Sequence, residues 1–306
     1  MKFNNYNSVE YQILKEVFSK IPLMDLNIAN IIEEFIYSNV IEEKTNLSFK
    51  KEYRTKWGKK EGVCIEWYDD NTTKRKEFFY IDDKINGDYK EWDRYGKIKK
   101  ECFYIDDKIE GLHKEWFYDG EQIVELNYIQ GKLNGLYRCI NDKGELLLEG
   151  NYLNDKKHGT FKEWYSSDEI PDETILFEET NYLYGIYHGS HRQWHENKKL
   201  LCDWNYIKGK HHGLNRLWYK NGQIREEEEY IHGKRVGLCR EWYEDGKLTY
   251  SYQYNKKGIK HGLFQRWDKH GNLTNKVNFV NGKASSKEVN KYYFGEGVEI
   301  VEEADI

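Results

Sequence analysis

Two prolines occur in 306 residues, which excludes proline-rich linkers and polyproline spacers. No apolar run approaches the roughly 18 residues that a membrane-spanning helix needs, and the opening stretch MKFNNYNSVEYQILKEVFSK lacks the apolar core of a secretory signal. The cysteines are few, odd in number and scattered (Cys64, Cys102, Cys139, Cys202, Cys239), with no C-x-x-C. Neither a disulfide framework nor a zinc knuckle is expected, and the thiols suit a reducing, cytoplasm-like compartment. A basic excess is missing as well: 48 Lys plus Arg stand against 53 Asp plus Glu, a net charge of −5, so no nucleic-acid partner is expected. Catalytic signatures are also wanting. There is no G-x-S-x-G, no phosphate-binding Walker loop and no G-x-G-x-x-G, and His195-Glu196 is not followed by a second histidine at metalloprotease spacing. The chain reads as a non-enzyme with no cofactor.

Aromatics are abundant: 26 Tyr, 13 Phe and 10 Trp make up 16% of the chain. A disordered chain is poor in such residues, so the buried surface is expected to come from rings. They recur with a period. Aligned on one glycine per unit, the chain gives Gly62, Gly87, Gly111, Gly135, Gly159, Gly189, Gly213, Gly237 and Gly262. Most spacings are 24 or 25 residues, and one is 30, where an insertion around Ser166–Thr174 contains Pro171. Five residues after each glycine stands Trp67, Trp92, Trp116, Ile140, Trp164, Trp194, Trp218, Trp242 or Trp267. Seven residues before the next glycine lies a tyrosine, as in Tyr80, Tyr104, Tyr128, Tyr152, Tyr182, Tyr206 and Tyr230.

Each unit carries two turn signals. The first is a glycine at plus nine, often after Asp or Asn (Asp119-Gly120, Asn221-Gly222, Asp245-Gly246). The second is Gly or Asp before Lys (Asp83-Lys84, Asp107-Lys108, Gly233-Lys234). Six to eight residues rich in Trp, Tyr, Ile and Leu lie between turns and read as strands. The expectation is nine β-hairpins in an elongated meander or solenoid, on the order of 85–90 Å long at 4.7–4.9 Å per strand. A two-residue turn at plus eight and nine would set plus three opposite plus fourteen. Those positions hold Lys90, Lys114, Arg138, Lys162, Arg192 and Arg216 against Glu101, Glu125, Glu149, Glu179, Asp203 and Glu227. The bases are thereby expected to be paired across strands rather than left free for phosphate.

Equivalent residues in successive hairpins are roughly 9–10 Å apart, so the tryptophan column cannot stack on itself. The same distance argues against metal binding by the histidine column His158, His188, His212 and His261, since zinc ligands must converge within about 4 Å. A second aromatic set falls at plus two and plus six: Tyr89, Tyr137, Phe161, Phe264, and Tyr68, Phe117, Tyr165, Tyr219, Tyr243. This set either joins the core with the tryptophans or lines an open aromatic groove for a peptide, a partner helix, a sugar or a choline-like group.

The pattern G-x-x-x-x-W-Y-x-x-G-x-[IL]…Y-x-x-G-K-x-x-G, written out in GLNRLWYKNGQIREEEEY from Gly213 to Tyr230, resembles MORN repeats, the membrane occupation and recognition nexus family. It is most similar to the variant form of bacterial proteins and large DNA viruses, and a Lys, Asn, Ile and Tyr bias suits the AT-rich genome of a giant virus. The likeness spans about residues 53–283 and implies a scaffold for protein–protein contact, in a host cytoplasm or virion if viral. It also implies, as alternatives, peripheral binding of acidic lipid head groups or a carbohydrate- or small-ligand-binding solenoid. Residues 1–46 differ in kind. Ile13, Leu14, Val17, Phe18 and Ile21, then Ile28, Ile31, Ile32, Phe35 and Ile36, recur at helical spacing around Pro22. They are expected to form a short α-helical cap. Ile21-Pro22-Leu23 with Ile31-Ile32-Glu33-Glu34-Phe35-Ile36 also resembles the start of an F-box, which implies an adaptor role in a ubiquitin ligase. Residues 284–306 read as an acidic cap or tail.

Overall fold

The computed structural model describes residues 37–44, 49–117, 122–166, 175–285 and 300–301. Every regular element among them is a strand. The chain divides into two compact units, Met1–His113 and Lys114–Ile306. In the first, Tyr37–Lys44, Phe49–Lys56, Lys59–Tyr68, Lys74–Ile81, Lys84–Trp92 and Ile98–Ile105 each pair antiparallel with the next. In the second, the same up-and-down order runs from Gln122–Ile129 and Lys132–Asn141 through Leu273–Val280. The fold is therefore the expected β-hairpin meander. The helical cap and F-box-like stretch up to residue 36, the Asp119-Gly120 turn and the insertion at Pro171 lie outside the described residues.

The pairing begins earlier than the repeat signature does. Tyr37–Lys44, inside the segment expected to be a helical cap, is a strand running against Phe49–Lys56, with Tyr37 opposite Lys56 and Lys44 opposite Phe49. This hairpin has neither the signature glycine nor the tryptophan, so the 24-residue period cannot find it.

The turns exchange the roles expected of them. At the first, the Gly222 N–H donates to Tyr219 O at 2.8 Å and the Tyr219 N–H donates to Gln223 O at 2.9 Å. Of the three loop residues only Gly222 has positive φ, at +90°. This is a three-residue loop, a type I turn closed by a left-handed glycine, and not the two-residue turn the D-G and N-G pairs suggested. The two-residue type I′ turns, with both central residues at positive φ, lie at the second signal: Asp82 (+48°) and Asp83 (+70°), or Asn154 (+49°) and Asp155 (+65°). The longer loop shifts the register by one, so that Trp218 faces Ile224. A bulge at Arg225 then restores it, so that Leu217 faces Glu226 and Arg216 faces Glu227. The plus-three to plus-fourteen pairing survives because the two offsets cancel.

The signature glycine stands where a second irregularity is built in. Between the pairs Phe79–Asn86 and Glu77–Lys90 the strand carrying Gly87 has two extra residues. All nine signature glycines take positive φ, from +68° at Gly237 to +103° at Gly135. That is the left-handed region closed to most side chains.

One sheet face holds the core, and the tryptophans are not in it. The buried residues are chiefly plus two and its cross-strand partners, in size-matched pairs: Cys64 opposite Phe78, Tyr89 opposite Cys102, Cys239 opposite Tyr252. Beside them runs the tyrosine column. In the second unit the rings Tyr137, Tyr152, Phe161, Tyr182, Tyr187, Tyr206, His211 and Tyr230 follow one another with centroids between 4.4 and 5.7 Å apart. Tyrosines two strands apart cannot touch, so a ring from the strand between fills each gap. Where that strand offers Lys157 instead of a ring, its ammonium lies 4.6 Å from the Phe161 centroid and 5.0 Å from that of Tyr182. The repeat tryptophans are half-buried and, by strand alternation, fall on the opposite face.

Gly150 and Gly213 separate the two reasons for glycine. Gly150 has no positive φ, but a Cβ there would fall inside the Phe161 ring. Gly213, at φ +83°, has open space around it. Both Gly150→Ala and Gly213→Ala are expected to destabilise by about 1–3 kcal/mol in urea unfolding. Only the first should be rescued by Phe161→Leu, which makes room.

Candidate functional site

The aromatic positions singled out in the sequence are occupied with structure. At plus two, Tyr89 and Phe161 are buried. Tyr137 is half-buried, and Phe264 packs on Val277, Phe279 and Ala284. At plus six the phenols tie hairpins together. The hydroxyls of Tyr68, Tyr165, Tyr219 and Tyr243 donate to the carbonyls of Trp92, Trp194, Trp242 and Trp267 at 2.8, 3.1, 2.8 and 3.2 Å. Each reaches the tryptophan of the following unit, and His195 Nε2 lies 3.3 Å from Trp218 O in the same way. Phe117 cannot make the bond and is exposed. Where plus six is Asp93, Asn141 or Asp268, the short side chain instead accepts from the backbone of its own loop. The departures from aromatic at this position thus exchange an inter-hairpin bond for a loop-closing one.

At the other end of the strands two members of the histidine column have a backbone task. His212 and His261 accept through Nδ1 from the N–H groups of His232 and Asn281, both at 3.5 Å. Glu61 and Asn86 in the same column accept from Asp82 and Asp106 at 3.2 and 3.0 Å. Turn aspartates add a second tie: Asp83, Asp107 and Asp155 accept from the N–H groups of Lys60, Ile85 and Leu133 at 2.7–2.8 Å. Among the described residues no three His, Cys, Asp or Glu side chains gather as a metal site.

The inner face of the second unit carries unequal charge. Glu226 lies directly opposite Glu241, and Glu163 opposite Glu178. Glu228, 4% exposed, is held by Arg235 Nε at 2.7 Å and by the Tyr230 hydroxyl. The Tyr252 hydroxyl lies 2.9 Å from Glu241 and 3.2 Å from Glu228. Burial, then the neighbouring Glu228 and Glu241, push the Glu226 carboxyl up to about 7. Burial and Glu178 raise Glu163. Burial lowers His191 against the pull of Glu178. The Thr180 hydroxyl lies 2.7 Å from both Glu178 and His191, a grouping that resembles a nucleophile with its base. Thr180 is only 1% exposed, however, and no substrate carbonyl can reach it.

The outer face of each unit carries alternating charge. Lys90–Glu101, Lys114–Glu125, Arg138–Glu149, Lys162–Glu179, Arg192–Asp203 and Arg216–Glu227 close at 3.3, 2.9, 2.8, 3.6, 3.2 and 2.9 Å. Each acid also faces a base of the next hairpin, as in Glu149–Lys162, Glu179–Arg192, Asp203–Arg216 and Glu227–Arg240. Arg240, opposite Ser251 in its own hairpin, turns back to Glu227 at 3.6 Å. Every such pair is partly exposed and contributes about 0.2–1 kcal/mol. On the same face lie exposed apolar side chains: Val63, Phe79, Ile81, Phe103, Ile105 and Leu112 in the first unit, and Leu183, Ile186, Leu214 and Ile231 in the second. Of these, Ile81, Ile105, Leu183 and Ile231 carry a sequence signal, an Ile or Leu immediately after a column tyrosine.

Residues 212–232, 235–256 and 260–281 match the family model of the MORN repeat variant. The chain carries MORN-type repeats. The matched segments are its last three units, which share the bulged strand pairing of those before them. No curated protein matches the chain. MORN repeats are a non-catalytic repeat type found in protein or lipid interactions. No helix among the described residues is long and apolar enough to cross a membrane.

Two outcomes follow from the geometry. Tyr219→Phe removes one inter-hairpin bond without changing shape, and a loss of about 1 kcal/mol is expected in chemical unfolding. A carboxyl whose folded pKa is raised stabilises below the ordinary glutamate range near 4.3 and loses that contribution as pH rises toward its folded value. For Glu226 that window ends at about 7. Thermal unfolding of Glu226→Gln is therefore expected to show little change at pH 4 and a gain of about 1–3 kcal/mol at pH 8, the full shift being reduced by the partial exposure of the group.

Proposed function

We propose that the chain is a non-enzymatic repeat scaffold that holds a protein partner on the face bearing the charge row. The carrying observation is that exposed aliphatic side chains recur on this face of the second unit, while its inner rings and plus-six phenols are engaged within the fold. An alternating charge row suits a specific polar register with a partner. It gives little purchase to an anionic bilayer, because each base already has an acid beside it. The described cysteines form no disulfide and four of them are buried, which fits a reducing cytoplasm.

A photoreactive amino acid at Leu214 or Ile231 tests this reading on the second unit, with the loop-tip position Asp245 as control. The same cross-linked protein is expected from both face positions and not from the tip. Absence of any adduct, together with flotation on anionic vesicles at low salt, would replace the scaffold by a lipid-binding protein.

A further inference from the structure

Where the type I′ turns of the second unit meet the outer face, an apolar residue and a lysine alternate from strand to strand. Ile129 faces Lys132, Leu153 faces Lys156, Ile207 faces Lys210 and Ile231 faces Lys234. In one hairpin the lysine is replaced, and Leu183 faces Ile186 with Tyr184 between. Ile129, Leu183, Tyr184, Ile186 and Ile231 are between 39% and 54% exposed, and the four lysines are exposed as well. In the first unit two members of the same lysine column are neutralised: Lys59 pairs with Asp82 at 3.3 Å and Lys84 with Asp106 at 3.6 Å. Both aspartates are the first residue of the following type I′ turn. In the second unit that place after Lys132, Lys156 and Lys210 is taken by Asn154, Tyr184 and His232, none of them acidic. The carboxylate of Asp155, in the same turns, is engaged by the Leu133 N–H at 2.8 Å. The stems of Lys156, Lys210 and Lys234 lie over Gly185, Gly233 and Gly258 of the following turns.

From this contrast we infer that the turn edge of the second unit is the docking strip for an acidic, apolar-centred segment of the protein partner. The inference rests on the scaffold reading and names its chemistry. The strip has two basic ends, Lys132 with Lys156 and Lys210 with Lys234, and an apolar middle at Leu183, Tyr184 and Ile186. Lys156 and Lys210 are four strands apart, roughly 19 Å, which an extended peptide crosses in about six residues. The complementary ligand has carboxylates at both ends of a short run of aliphatic or aromatic residues. A narrow peptide can lie on the edge alone. A flat anionic bilayer would also meet the carboxylates of Glu149, Glu179 and Asp203 in the neighbouring row.

The probe is a fluorescein-labelled peptide with three glutamates on each side of four leucines, titrated against the full chain and read by anisotropy and by amide hydrogen exchange. Binding is expected with protection at residues 129–133, 183–187 and 207–211. It should weaken at least tenfold in the Lys156→Glu/Lys210→Glu double variant and in Ile186→Asp, and fall steeply between low and moderate salt. These side chains are exposed, so unchanged circular dichroism serves as the control for folding. Equal binding by wild type and variants, protection elsewhere, or no binding overturns the strip. So does lysine-dependent flotation on anionic vesicles without peptide binding. Failure here is separable from failure of the scaffold. If the partner cross-linked from Leu214 is still captured by the double variant, the scaffold stands and only the strip falls.

Discussion

The repeat distance of a hairpin array is the constraint from which the rest follows. Equivalent side chains stand two strands apart, roughly 9–10 Å, beyond contact for any ring. A column of identical residues therefore cannot form a core by itself. It must be interleaved with a different column from the strand between. The tyrosine column is interleaved with Tyr187, His211 and Lys157, or with Phe161 from plus two. The charge row obeys the same rule, with each base separated from the next by an acid. Size obeys it too: a large ring on one strand faces a cysteine, a threonine or a glycine on its partner, and Gly150 exists because the Phe161 ring occupies its side-chain space.

Irregular backbone makes the interleaving possible. Two register breaks per hairpin, one at the signature glycine and one beyond the tryptophan, place the partners of the charge row opposite each other despite turns of unequal length. At the strand ends, backbone groups that the turns leave open are taken by neighbours one period away. The phenol hydroxyls serve one end, and the histidine, asparagine and aspartate acceptors serve the other. These bonds run from hairpin to hairpin, so each unit is held by the next, as nearest-neighbour stability requires.

Periodicity made the hairpins, the glycine column and the cross-strand ion pairs legible, because a fixed offset survives any local error. The assignment of turn types did not survive. D-G and N-G suit a two-residue turn, yet Asn221-Gly222 closes a three-residue one, while Asp82-Asp83 without glycine adopts the left-handed pair. The choice depends on which loop length keeps the flanking strands in register, and that is a property of the pair of strands. The identity of the inner face was equally hidden. Tryptophan at plus five is the most conspicuous residue of the unit, but parity relative to plus two sets it on the other side. Pairing upstream of Gly62 was invisible because Tyr37–Lys44 carries no signature at all.

The same geometry that consumes polar groups inside the array decides what is left outside it. A column is inert toward partners when its complement lies in the adjacent strand, as for Arg216 beside Glu227 and Asp203. It becomes available when that complement is replaced. The lysines beside the type I′ turns show both states in one chain. They are neutralised where the next turn opens with aspartate, at Asp82 and Asp106, and left without that aspartate where it opens with Asn154, Tyr184 or His232. Changing one turn residue per unit costs the fold little, because the main-chain bond between turns persists. The Gly209 and Gly233 N–H groups still reach Tyr187 and His211 at 2.8 Å. A repeat array can thus acquire a charged strip at turn positions without disturbing its core, and specificity can be written in the residues that the core does not use.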